Sequence, residues 1–153
     1  MLPDADVSTV AHIIQLAVAP VFLITGVGSI LAVLVNRLAR IVDRARRIEE
    51  RLPNTPATER APLRVELRRL AKRARLIHWA ITLCITCALL VCAVVAALFI
   101  GDFITLDLAE LIAALFVTAM SLLIMALLCF LREIYLAVVG LQIGMNIDPN
   151  EKL

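Results

Sequence analysis

The stretch LAVAPVFLITGVGSILAVLVNRLARIVDRARRIEER, residues 16–51, decides the fold. Its first 20 residues carry no ionisable group, and its remainder is dense with arginine. The apolar pattern nevertheless crosses the junction without a break. Leu34, Leu38, Ile41, Ala45, Ile48 and Leu52 recur at steps of four and three, which is the seam of a packed helix. At 1.5 Å per residue, a 20-residue run reaches about 30 Å, the thickness of a bilayer core. One helix is therefore expected to cross a membrane and to continue beyond it.

Two more such runs follow. Trp79 to Ile100 gives 22 residues and Leu111 to Leu131 gives 21, again without an Asp, Glu, Lys, Arg or His. Backbone groups in lipid are satisfied within a helix, so all three runs predict helices. The composition agrees: 62% of the 153 residues are hydrophobic and 18% are charged, against about 45–50% apolar in a soluble domain. An ordinary soluble domain and a disordered chain are both excluded. The expectation is one all-α membrane domain over residues 1–153. Its spans fall near 13–36, 78–100 and 108–131, and the third helix extends over 132–145. The first run lacks the basic flank of a cleaved signal, carrying Asp4 and Asp6 instead, and is expected to be retained.

Charge sets the expected orientation. Of 15 Lys and Arg, 13 lie between Arg37 and Arg75, against five acidic residues, for a net +8. The N-terminal tail and the turn after Ile100 carry Asp4, Asp6, Asp102, Asp107 and Glu110 and no basic residue. The positive-inside rule puts the basic segment and the C-terminus in the cytoplasm and the N-terminus outside. Trp79 and Tyr135 then fall near the inner interface.

The basic segment, residues 37–77, reads as an antiparallel helical hairpin. Past the turn Pro53-Asn54-Thr55-Pro56-Ala57-Thr58 the seam resumes at Leu63, Leu67, Leu70, Ala74 and Ile77. Thr55 or Thr58 is expected to cap the second helix, with Pro62 in its first turn. Two such helices bury little alone, so copies are expected to pack into a homo-oligomer. The alternative is an intramolecular pair held on anionic lipid through its arginines. Arg44, Arg46, Arg47, Arg68, Arg69 and Arg73 are the candidates for lipid or partner binding.

The opposite side of the first helix carries a second stripe: His12, Gln15, Ala19, Phe22, Thr25 with Gly26, Ser29, Val33, Asn36 and Arg40. Polar at both ends and small in the middle, it suits either close helix packing or the lining of a water-filled axis. Asp107 and Glu110 have the spacing of a helix cap, and the five outer carboxylates together would also concentrate cations. The four cysteines, including Cys84 and Cys87 inside a span, read as small hydrophobes with no metal role. Arg132 and Glu133 read as a neighbouring pair at the inner interface.

Ile14-Gln15-Leu16-Ala17, then Ala19-Pro20-Val21-Phe22-Leu23-Ile24-Thr25-Gly26-Val27-Gly28, then Asn36-Arg37-Leu38-Ala39-Arg40-Ile41-Val42-Asp43-Arg44 resemble an uncharacterised bacterial membrane family, DUF2721. The resemblance runs from about residue 9 to 140. It implies a small bacterial inner-membrane protein and supplies no activity.

An enzyme is not expected. Phe99-Ile100-Gly101-Asp102 is not an intramembrane aspartyl motif, and His12 and His78 lie at the ends of spans, away from the depth of Ser29. No zinc-protease, Walker or dinucleotide pattern occurs, and no cofactor is implied. Two functions remain. The first is an oligomeric ion pore lined by the first helix, with an outer acidic mouth and an inner neck at Asn36 and Arg40. The second is a non-conducting scaffold or regulatory protein whose basic hairpin binds anionic lipid or a partner protein. Nucleic acid is not expected, because no aromatic residues accompany the arginines.

Overall fold

The structure is a computed structural model describing the backbone of residues 4–56, 59–103 and 109–145, and side chains at 11, 14–56, 59–100 and 109–138. It is all helical. Helix α1 covers Asp4–Arg51, α2 covers Arg60–Phe103 and α3 covers Ala109–Met145. All three are long and apolar enough to cross a membrane, which marks a multi-pass membrane protein.

Helix α1 continues through Asn36 into the arginine-rich stretch with no interruption. It ends where Pro53 removes a backbone donor and restricts Leu52, giving a single 3-10 turn at Leu52–Asn54. Thr55 does not cap the second helix. Its hydroxyl donates to the Arg51 carbonyl at 2.8 Å, closing the first helix instead. Arg60 then gathers the loop carbonyls, donating from Nε to Thr55 O at 2.8 Å and from Nη2 to Pro53 O at 3.2 Å. Loop carbonyls left without helix partners find donors this way. Thr58 lies outside the described residues. Pro62 is the third residue of α2, where it breaks no helical hydrogen bond.

The chain forms two compact units, each holding part of all three helices. The first comprises Met1–Ala32 and Thr82–Met125. Its interior is made of small residues: Ala17, Pro20, Val27, Cys84, Cys87 and Ala119 are buried, with Val91 and Val94. Its outside is large and apolar, with Phe22 73%, Leu89 65% and Val117 65% exposed. Small inside and large outside is the arrangement of helices packed in lipid, where close backbone approach replaces the hydrophobic effect. Five hydroxyls of this unit bond to carbonyls of their own helices. Thr25 donates to Val21 O, Ser29 to Thr25 O, Thr86 to Thr82 O, Thr118 to Ala114 O and Ser121 to Val117 O.

The second unit comprises Val33–Ile81 and Ala126–Leu153. Leu34, Ile41 and Ile48 of α1 are buried, as are Leu70, Ile77 and Ala80 of α2 and Ala126 and Glu133 of α3. Leu38, Ala45, Leu52, Leu63, Leu67 and Ala74 are half-buried. Every residue of the expected seam therefore lies on an enclosed or partly enclosed face.

Candidate functional site

Among the described residues the one buried acidic or basic side chain is Glu133, with an exposure of 0%. It falls seven residues after Ala126 and fourteen after Ala119, both buried on α3. Two whole turns per seven residues keep these positions on one side of the helix, so the backbone carries the carboxylate into the interior. A carboxylate removed from water is tolerated only when paired and hydrogen-bonded.

Two arginines meet that demand, one from each of the other helices. Arg73 of α2 donates from Nε at 3.1 Å and Nη2 at 2.8 Å to Oε1. Arg37 of α1 donates from Nη1 to Oε2 at 3.2 Å. Both carboxylate oxygens are thus occupied. The Arg37 guanidinium also lies 5.2 Å from the centre of the Phe130 ring, a cation–π contact worth about 0.5–1 kcal/mol where partly exposed. The pairing of Glu133 with Arg132 is therefore corrected. Arg132 is exposed, and adjacent residues on a helix do not face each other. Glu133 instead ties α3 to both other helices.

Around this triad opens a cleft of about 350 Å³, walled by Arg37, Arg40, Arg44 and Arg73 with Glu133, over Ile41 and Leu70. Four arginines against one carboxylate leave a formal +3 on its wall. A second cleft of about 350 Å³ shares Arg44, Leu70 and Arg73 with the first, and adds Glu66, Arg69, Leu136 and Ala137. Glu66 accepts from Arg44 Nε at 2.9 Å and Nη2 at 2.6 Å. That pair is well exposed, 68% at Arg44 and 36% at Glu66, so it contributes under about 1 kcal/mol. An anion 4 Å from Arg40 gains about 1 kcal/mol in water and about 4 kcal/mol at the effective dielectric of a protein surface.

The residues expected from the sequence fall in three groups. Among the lipid or partner candidates, Arg44, Arg69 and Arg73 line these two clefts, whereas Arg46, Arg47 and Arg68 are exposed outside them and form no ion pair among the described residues. On the α1 stripe, Gln15, Phe22, Thr25, Gly26, Ser29, Asn36 and Arg40 are all exposed. A side chain added at Gly26 would meet nothing within 4 Å. Among the described residues of that stripe, only Arg40 joins the arginine cleft, on its wall. The His12 side chain lies outside the described residues, as do Asp107 and the side chains of Asp4, Asp6 and Asp102. Glu110 is exposed in the first turn of α3. No group of His, Cys, Asp or Glu placed to hold a metal ion is found among the described residues.

Arg37, Glu66 and Glu133 escaped the sequence reading. The signal available for Glu133 was its place in the seven-residue repeat of Ala119 and Ala126. Its partners lie 96 and 60 residues away and left no local trace.

Fold and site define an all-helical protein whose three helices are long and apolar enough to span a membrane, with an ion-paired carboxylate joining them. The chain belongs to the family described as Protein of unknown function (DUF2721), whose model matches residues 17–143. Comparison with curated proteins and with solved structures gives no match.

Proposed function

We propose that this protein is a membrane scaffold or regulatory protein of the bacterial inner membrane, whose basic segment holds anionic lipid on the cytoplasmic side. The observation that carries the reading is the cleft of four arginines around buried Glu133, built within a single chain. In this reading α1 and α2 run past the membrane as an antiparallel coiled-coil hairpin. Burial of Leu34, Ile41, Ile48, Leu70 and Ile77 and the Arg44–Glu66 pair support that arrangement. The N-terminus is outside and the C-terminus cytoplasmic, on the strength of the +8 segment. Each basic residue near an anionic leaflet adds about 1 kcal/mol of attraction.

The test is lipid selectivity. The protein is reconstituted in mixed phosphatidylglycerol and phosphatidylcholine bilayers, and spin-labelled lipids report the lipid boundary. Phosphatidylglycerol is expected to be enriched severalfold, and replacing Arg40, Arg44, Arg46, Arg47, Arg68 and Arg69 together by Gln is expected to remove most of that enrichment. Equal boundary occupancy by both lipids in the unaltered protein rejects the reading.

A second reading, a homo-oligomeric ion pore lined by α1, is favoured by one observation. Gln15 and Asn36 stand exposed along one stripe of an apolar helix, with Ser29 between them. Polar groups in lipid are costly unless they meet partners or water. Asn36→Ala and Ser29→Ala are expected to alter single-channel conductance in planar bilayers. A purified protein that passes no current across a range of salt, pH and voltage rejects the pore.

A further inference from the structure

Two of the arginines around Glu133 are held in place by a fully buried carboxylate, as no other arginine described is. Arg37 and Arg73 have side-chain exposures of 34% and 29%, and each is fastened to a carboxylate out of reach of water. Glu133 engages only Nη1 of Arg37, and Nε with Nη2 of Arg73. Nε and Nη2 of Arg37 and Nη1 of Arg73 keep donors with no acceptor among the described residues. Arg40 forms no ion pair among the described residues and lines the same cleft. Fixed guanidinium groups with spare donors match the oxygens of a phosphate group, and the ordering cost is already met by Glu133. A volume of 350 Å³ is roughly that of ten water molecules in the liquid, enough for a phosphate with a glycerol beside it.

The adjoining cleft identifies the source of that phosphate. It shares Arg44, Leu70 and Arg73 with the charged cleft and adds Glu66 and Arg69 on one side and the apolar Leu136 and Ala137 of α3 on another. Leu131 and Tyr135 near them are 62% and 68% exposed. A ligand reaching from the first cleft to Leu136 and Ala137 is charged at one end and apolar at the other. The geometry points to a site for one anionic phospholipid, its phosphodiester against Arg37, Arg40 and Arg73 and its acyl chain along Leu136 and Ala137. The site rests on the lipid-binding reading above and narrows it from a diffuse attraction to a single bound molecule. Glu133 is a positioning residue here, acting through the two arginines.

The test uses the full chain in a non-ionic detergent. Phosphatidylglycerol, phosphatidylcholine and inorganic phosphate are titrated separately, and native mass spectrometry counts the bound molecules. Phosphatidylglycerol is expected to bind one to one. Arg40→Gln, which breaks no ion pair described, is expected to weaken that binding about tenfold or more with an unchanged thermal midpoint. Replacing Arg46, Arg47 and Arg68 together by Gln is expected to leave the single lipid bound. Equal binding of phosphatidylcholine, or unchanged binding in Arg40→Gln and in Arg40→Gln/Arg44→Gln, overturns the site. Inorganic phosphate binding as tightly as the lipid overturns the lipid assignment. Loss of the bound lipid in the triple variant with Arg40→Gln unchanged overturns the cleft alone and leaves the wider reading standing. The wider reading falls separately if the bilayer experiment shows no enrichment of phosphatidylglycerol.

Discussion

Glu133→Ala is expected to destabilise the protein by about 3 kcal/mol, the lower end of what breaking a buried ion pair costs. The lower end applies because Arg37 and Arg73 retain about a third of their exposure and turn partly toward water when released. In a chain of this length the thermal midpoint in detergent should fall by roughly 6–12 °C. Glu66→Ala is the matched control. It also removes a carboxylate that accepts two N–H groups of one arginine, but from a well exposed pair, and should cost under about 1 kcal/mol. Comparable losses in the two variants would show that burial of Glu133 carries no weight. Arg73→Lys should behave more like Arg73→Ala than like the parent, because an ammonium cannot reproduce the two donors that Nε and Nη2 place on Oε1.

Leu34→Ala carries the second large effect. Leu34 is 0% exposed, whereas its neighbour Val35 is 52% exposed. Truncating an enclosed leucine leaves a cavity and is expected to cost about 2–4 kcal/mol. Val35→Ala faces the surroundings and should change stability by under about 0.5 kcal/mol. The adjacent pair separates packing from hydropathy, since both variants remove apolar atoms at the same depth. Thermal unfolding of both in one detergent reads the difference directly. Equal effects would mean that the seam does not set the packed face of α1.

The seam itself was legible in the sequence because charge and apolar residues alternate along the basic segment. Wherever arginines mark the exposed side, the remaining Leu and Ile positions stand out, and Leu34, Ile41, Ile48, Leu70 and Ile77 are indeed the buried ones. Inside the spans that contrast disappears. Lipid-facing and enclosed residues are equally apolar, so nothing in composition distinguishes buried Cys84 and Ala119 from exposed Leu89 and Val117. Size is the clue there, small residues inside and large ones outside, and it shows only once the helices are in place. The candidate site was half legible. Arg44 and Arg73 are visible as part of a basic block, but the carboxylate that organises the cleft sits beside Arg132, and sequence adjacency disguised a partnership across three helices. Helix α1 shows the same division. Its polar and small stripe is plain in the sequence, while among the described residues of that stripe only Arg40 reaches the arginine cleft.

The central claim is that Glu133 is held inside the protein by Arg73 and Arg37. A double-mutant cycle tests it most directly, with Glu133→Gln, Arg73→Gln and the two combined, each followed by thermal unfolding in the same detergent. Strong coupling is expected, the double variant losing less stability than the two single losses added together, by about 1–3 kcal/mol. Losses that add independently would mean that the two side chains do not meet, and the buried ion cluster with the cleft around it would be contradicted.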